Sequence, residues 1–215
     1  TPSVSSAASD VYKRQMFIRE GTEVAVDDLL KGIIIQSGND ASVAIAEYIA
    51  GSEDAFADMM NQQARALGLK NSSFLNATGL PNDDHYSTAE DLARLTIALI
   101  RDHPEQYKLY SQRSYKFNDI AQPNRNKLLW RDRSVDGVKT GYTAAAGYCL
   151  VASAERNGVR LVSVVMGADS DQARMRESQK LLSYGFRNFD TQTLYEAGIN
   201  LRQHDVYYGD ADTVE

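Results

Sequence analysis

The sequence predicts a mixed α/β chain of the α+β kind, in which a helical cluster packs on an antiparallel sheet. Three observations carry that reading. Apolar residues recur at helical spacing through the first half, two β-rich runs flank Asn157-Gly158, and one further amphipathic helix follows them.

Residues 26–36 place Leu29, Leu30, Ile33 and Ile34 on one helical face, with Asp27 and Asp28 at the positive end of the helix dipole. Ser37-Gly38-Asn39 interrupts, and Asp40 opens a small-residue helix over 41–50 that Gly51 ends. Ser52 caps the next helix, where Phe56, Met59, Met60, Gln63 and Leu67 follow at helical spacing until Gly68 stops it. That apolar stripe reads as core. Residues 69–86 are turn-rich, and the triplets Asn71-Ser72-Ser73 and Asn76-Ala77-Thr78 read as turn chemistry rather than glycosylation acceptors. Ser87-Thr88-Ala89-Glu90 reads as a capping box, starting a helix that runs to about His103, where Pro104 interrupts.

The period then changes. Residues 151–155 and 159–165 are β-rich runs around Asn157-Gly158, a hairpin signal because both turn positions need positive φ. Residues 139–148 lead into the first of these strands through a loop at 143–147. A last helix over 171–188 places Met175, Leu182 and Phe186 on one stripe.

A length of 215 residues suits one domain, or one domain plus a fragment. With 43% hydrophobic and 24% charged residues, a packed core is favoured over disorder. The net charge of −6 comes without any basic stripe, so nucleic acid is not an expected partner and an anionic membrane surface would not attract the chain. No apolar run approaches the ~18 residues that span a bilayer. The single cysteine, Cys149, excludes an intrachain disulfide; its place among alternating apolar residues reads as an inert core thiol. His85, His103 and His204 are scattered without metal-ligand spacing, and no metal or cofactor is expected.

Residues 1–15 show neither helical nor strand periodicity and resemble read-through from sequencing adapters, so they are set aside as non-native. The expected catalytic unit is 16–190. Residues 191–215 read as a linker and the start of a second β-rich domain, with Val206 to Tyr208 as its first stub, and both ends read as cut.

Two short motifs carry the chemistry. Ser37-Gly38-Asn39, placed where one helix stops and another starts, can project a hydroxyl and a carboxamide into a cleft. Lys139-Thr140-Gly141 follows 102 residues later (139 − 37) and leads towards the sheet. On a strand Lys139 and Gly141 would point one way and Thr140 the other, and Gly141 would let a substrate backbone lie close. Each triplet alone is a common turn. In this order and at these element boundaries they are the second and third signatures of penicillin-recognising serine enzymes.

From Met16 to about Phe189 the chain resembles the catalytic domain of low-molecular-weight D-alanyl-D-alanine carboxypeptidases, the penicillin-binding serine peptidases related to β-lactamases. The matching blocks are Gln36-Ser37-Gly38-Asn39-Asp40-Ala41, Leu67-Gly68-Leu69-Lys70-Asn71, Asn124-Arg125-Asn126, Leu128-Leu129-Trp130 and Asp136-Gly137-Val138-Lys139-Thr140-Gly141. The resemblance implies a β-lactamase/transpeptidase-like fold, incomplete at its amino end, and removal of the terminal D-alanine from peptidoglycan stem peptides through an acyl-serine. It also implies acylation by β-lactams and a place outside the cytoplasmic membrane. By the same resemblance Ser37 would act in the proton relay, Asn39 would orient the substrate amide, and Lys139 would supply positive charge beside the scissile bond. Thr140 and Arg125 would hold the substrate's terminal carboxylate, and the strand at Lys139 would pair with the peptide backbone. Tyr142 either lines the cleft or packs as an aromatic.

One departure is severe. The family's nucleophile sits in a Ser-x-x-Lys motif, and the residues three before each lysine here are Asp10, Asp28, Leu67, Glu105, Arg113, Asn124, Asp136 and Glu177. None is serine, so this chain is expected to be inactive. Two rival readings stay open. A class A β-lactamase shares both motifs but needs a Glu-x-x-Leu-Asn stretch, which the region between Asn39 and Lys139 lacks; residues 76–81 lie where it would be expected, without a carboxylate. A non-catalytic peptidoglycan-binding domain would need only the binding residues.

Overall fold

The computed structural model describes residues 14–19, 21–192, 194, 195, 198–200, 204, 205, 213 and 214. The first described helix, α1 (Val26–Lys31), runs on into a π-helical turn, Gly32–Gln36, and the two bury Leu29, Ile34 and Ile35. α2 (Asn39–Ala50) opens one residue before Asp40, whose carboxylate accepts bonds from the backbone N–H of Met16 (2.8 Å) and Ile18 (3.0 Å). Met16, Leu29, Ala41 and Ile45 close into one apolar cluster around that anchor. Arg14 and Gln15 are held by the fold as well: Arg14 O accepts from Asn39 N–H at 2.9 Å and Gln15 O from Gln122 Nε2 at 3.3 Å.

α3 (Glu53–Ala66) starts on Ser52, whose hydroxyl accepts from Ala55 N–H at 3.1 Å. Gly68, at φ +74°, turns the chain away after it. The apolar stripe of this helix is only partly sealed. Met59 is 45% exposed, and Phe56, Met60, Leu67, Phe74 and Leu95 line an open apolar groove of about 400 Å³ with it. The core expectation therefore fails for this stripe, because nothing among the described residues covers it.

The loop to α4 (Ala89–Asp102) is irregular, as its composition predicts. Asn76 Oδ1 accepts from the N–H of Gly79 and Leu80, the turn chemistry expected of Asn76-Ala77-Thr78. The helix cap lies one residue later than read from the sequence. Thr88, not Ser87, accepts from Asp91 N–H, while the Ser87 hydroxyl pairs with Ser72. Asp91 does not reach back to the cap. Its buried carboxylate instead accepts from Lys70 N–H, Asn71 N–H and the Ser72 hydroxyl, tying the loop onto the helix.

A short α5 (Pro104–Tyr107) and a 3₁₀ turn, Lys108–Ser111, lead to a hairpin that sequence reading missed: β1 (Ser114–Phe117) and β2 (Ile120–Pro123), joined through Asn118 and Asp119, both at positive φ. After α6 (Leu128–Arg131) come β3 (Val135–Thr143), β4 (Gly147–Arg156) and β5 (Val159–Ala168), antiparallel in the order β3-β4-β5. Asn157 and Gly158, at φ 51° and 80°, make the tight turn their sequence predicts.

α7 (Asp171–Asn188) matches its expected bounds, with Ser170 as cap. Its Met175 and Leu182 pack on Leu150, Ala152 and Ala154 of β4, so one face of the sheet is a closed core. Pairing fixes what the other face shows. Val138 and Thr140 stand opposite Ala152 and Leu150 and belong to the α7 side; Lys139 and Gly141, opposite Val151 and Cys149, face the other way. Beyond α7, His204–Asp205 pairs antiparallel with Thr213–Val214. Residues 1–13 and the stub Val206 to Tyr208 lie outside the described residues. No described helix is long and apolar enough to cross a membrane.

Candidate active site

The π-helical turn ends on Ser37, which adopts the left-handed region (φ 58°, ψ 43°) that side chains other than glycine rarely enter. The extra residue of the turn redirects the chain, and Gly38 N–H returns to Gly32 O at 3.1 Å. The result presents Ser37 sideways from the helix axis, with Asn39 beside it at the start of α2.

On the facing strand Lys139 donates from Nζ to the Ser37 hydroxyl and to its neighbour's carbonyl, Thr140 O, at 2.9 Å. Ser37, Asn39, Lys139, Thr140 and Gly141 line one cleft of about 220 Å³, walled on another side by the loop at Thr78, Gly79, Leu80 and Pro81. Burial pushes the Lys139 ammonium down to about 7, and the charges of Arg14, Arg125 and Arg174 push it the same way. A lysine so placed can exchange protons near neutral pH.

Arg125 is not at the floor of this cleft. It lines an adjoining cavity with Lys127, Tyr148 and Arg174, which shares Thr140 and Gly141 with the cleft. Its Nε donates to Gln36 O at 2.7 Å, and burial lowers its basicity, with Arg14 and Arg174 adding to the effect. Tyr142 both borders the cleft and packs, its ring 4.3 Å from that of Tyr148. Arg14 reaches the same region: its carbonyl accepts from Asn39 N–H at 2.9 Å and its guanidinium donates to Tyr142 O at 2.8 Å.

Two residues here escaped or contradict the sequence reading. Arg174, 7% exposed on α7, donates from Nη1 to Gly141 O (2.9 Å) and Cys149 O (3.2 Å), clamping the strand pair behind the cleft. Only its spacing to Asp171, its helix partner, was visible in sequence. Cys149 is not a core thiol. It is half-buried and borders the cleft, because alternation along β4 gives the α7 face to Leu150 and leaves Cys149 on the side of Gly141.

Comparison with known proteins falls on this geometry. A family model described as D-alanyl-D-alanine carboxypeptidase, Peptidase_S11, matches residues 1–170. The chain belongs to this carboxypeptidase family. Among curated members, D-alanyl-D-alanine carboxypeptidase DacC of Escherichia coli (strain K12) is 49% identical over 200 residues, 93% of this chain and 50% of the relative. DacA of Haemophilus influenzae is 48% identical over 203 residues, 94% of this chain and 52% of its own length. The chain thus spans about half the length of the curated relatives it matches. Penicillin binding protein 5 of Haemophilus influenzae superposes with a TM-score of 0.87 at 48% identity, over 94% of this chain and 59% of that structure. Penicillin-binding protein D2 of Listeria monocytogenes, solved in a cefotaxime-bound form, gives 0.74 at 31% identity, over 86% and 74%. The β-lactamase/transpeptidase-like helix-plus-sheet architecture is therefore that of this carboxypeptidase family.

Proposed function

We propose that this chain carries the proton-relay and substrate-binding side of a serine-type D-alanyl-D-alanine carboxypeptidase that acts on peptidoglycan stem peptides outside the cytoplasmic membrane. The observation that carries the proposal is the contact between Lys139 Nζ and the Ser37 hydroxyl, made across 102 residues with Asn39 on the same wall. In this reading the neutral-range ammonium of Lys139 hands a proton through Ser37 to the departing D-alanine amine, and Asn39 orients the amide before the cleaved bond. β3 forms one side of the sheet, so the substrate backbone lies along Thr140 and Gly141 as an added strand. Its terminal carboxylate then sits towards Thr140 and Arg125, in the adjoining cavity that shares Thr140 and Gly141 with the cleft.

The acyl-accepting Ser-x-x-Lys pair is absent from the 215 residues. The chain alone therefore forms no covalent adduct. Fluorescent penicillin incubated with the purified chain should leave no labelled band, and a labelled band would overturn its inactivity. Substrate recognition is tested separately. A peptide ending in D-Ala-D-Ala should shift the amide resonances of Ser37, Thr140 and Gly141, and the same peptide ending in L-alanine should not. Equal or absent shifts would defeat the assignment.

The β-lactamase reading is disfavoured by the wall at Thr78, Gly79, Leu80 and Pro81. None of the described residues lining the cleft carries a carboxylate to activate a deacylating water. Fast nitrocefin turnover by the protein with its Ser-x-x-Lys segment present would reverse that ranking. Residues 191–215 fit the proposal as a link into a second domain.

A further inference from the structure

The contact between Ser37 and Lys139 joins two elements that share little packing, which raises the question of what holds them in register. Asn124-Arg125-Asn126 crosses between them, with Arg125 bonded towards the turn before Ser37 and Asn126 bonded towards β3. Towards the turn before Ser37, Arg125 N–H donates to Ile35 O (3.2 Å), Arg125 Nε to Gln36 O (2.7 Å), and Gln36 Nε2 back to Pro123 O (2.7 Å). Towards β3, Asn126 Nδ2 donates to Gly137 O at 2.9 Å, while its Oδ1 accepts from Leu128 N–H at 3.2 Å. Asn124 braces the middle: its Oδ1 accepts from Asn126 N–H (2.8 Å) and its Nδ2 donates to Gln112 O (2.9 Å).

Asn126 and Asn124 are 1% and 4% exposed, and Gln36 is 5% exposed. Asn124 and Asn126 are paired at both ends of the amide and Gln36 through its Nε2. Buried amides so paired hold geometry more tightly than apolar contact does, since any shift strands a donor away from water. The grip points lie one residue before Ser37 and two before Lys139.

We infer that this strap is a positioning device for the Ser37–Lys139 pair, with Asn126 and Gln36 as its two anchoring residues. The inference rests on the reading of that pair given above. Neither anchor touches the cleft; each acts through the element it holds.

The test reads Lys139 directly and needs no turnover. The purified chain is labelled competitively with acetic anhydride across pH 5 to 11, and the acetylated fraction at Lys139 is followed by mass spectrometry. Burial sets its charge first, with the guanidinium groups of Arg14, Arg125 and Arg174 adding to it, and the Ser37 hydroxyl faces it as hydrogen-bond partner. In the unaltered chain Lys139 should become half-reactive near pH 7. Asn126→Leu keeps the branched side-chain shape and removes both hydrogen bonds, letting water reach the amine; reactivity at pH 7 should fall about tenfold for each pH unit its midpoint rises. Gln36→Met, which releases the other anchor, should act the same way and serves if Asn126→Leu does not fold. Leu182→Ala, a cavity in the α7 core, should lower stability and leave the Lys139 profile alone. If Lys139 in the unaltered chain titrates like an exposed lysine, the pair reading itself fails. If it titrates near 7 and both anchor variants keep that profile, or if Leu182→Ala moves it equally, the strap is merely structural and the inference is overturned.

Discussion

Taking the Lys139 ammonium out of water penalises its charged form, and three nearby guanidinium groups add to the penalty. The unfolded chain holds that proton up to the ordinary value of 10.5, the folded chain only to about 7. Between those limits the unfolded state binds more protons, so this group makes stability rise with pH, and below 7 the folded state bears the full penalty. Lys139→Met should flatten this limb and stabilise the chain at pH 6 by about 2 kcal/mol, after allowing for relaxation around a buried charge. Urea denaturation at pH 6 and pH 10 checks it. Asp91 works in the opposite sense. Its bond from the Ser72 hydroxyl, helped by Asn71 and Lys70 N–H, holds its carboxyl below the usual range, so its contribution is present above pH 4 and lost on acidification. Asp91→Asn should lower the melting temperature at pH 7, and by less as acidification protonates the carboxyl of the unaltered chain. At this scale the two triplets were legible because chemistry confines them to polar breaks between apolar runs. Arg174 was not, since its partners lie 33 and 25 residues away and only the fold brings them together.

Elements were legible in proportion to how often their period repeats. α7 has eighteen residues of amphipathic pattern with a serine cap, and sequence placed both of its ends. Ser170→Ala should cost about 1 kcal/mol by orphaning the Ala173 N–H, measurable by thermal melts. β1 and β2 have four residues each, too few for alternation to register, and their Asn118-Asp119 turn lacks the glycine that marks Asn157-Gly158. The entry to β3 was equally hidden. Its register slips at Val135/Gly137, and Asp136 turns out to accept from Tyr107 Oη (3.0 Å) and Arg160 (2.6 Å). A methyl group on Gly137 would lie 2.5 Å from Tyr107 Oη and 3.3 Å from Tyr110 Cβ, groups held by ring stacking at 5.4 Å. Gly137→Ala should destabilise the chain by about 1–3 kcal/mol and shift the amide resonances of Lys139 and Thr140.

Among the described residues, two separate apolar clusters share the work, one under α7 and one around Met16 and α2. Composition promised enough apolar surface for a core, but not that it would divide, because division depends on which helices face the sheet. The open groove at Phe56, Met59 and Met60 leaves a third apolar surface uncovered. β5 has no strand on its outer side among the described residues. Both features favour self-association. Sedimentation of the chain should show oligomers that grow with concentration, and a monomer with a sharp cooperative melt would contradict this.

The position of Cys149 offers a practical handle. The chain has no other thiol, and this one stands on the cleft wall opposite Gly141. A maleimide fluorophore would therefore attach at a single, known place without any engineered mutation. Its emission would report occupancy beside Ser37 and Lys139.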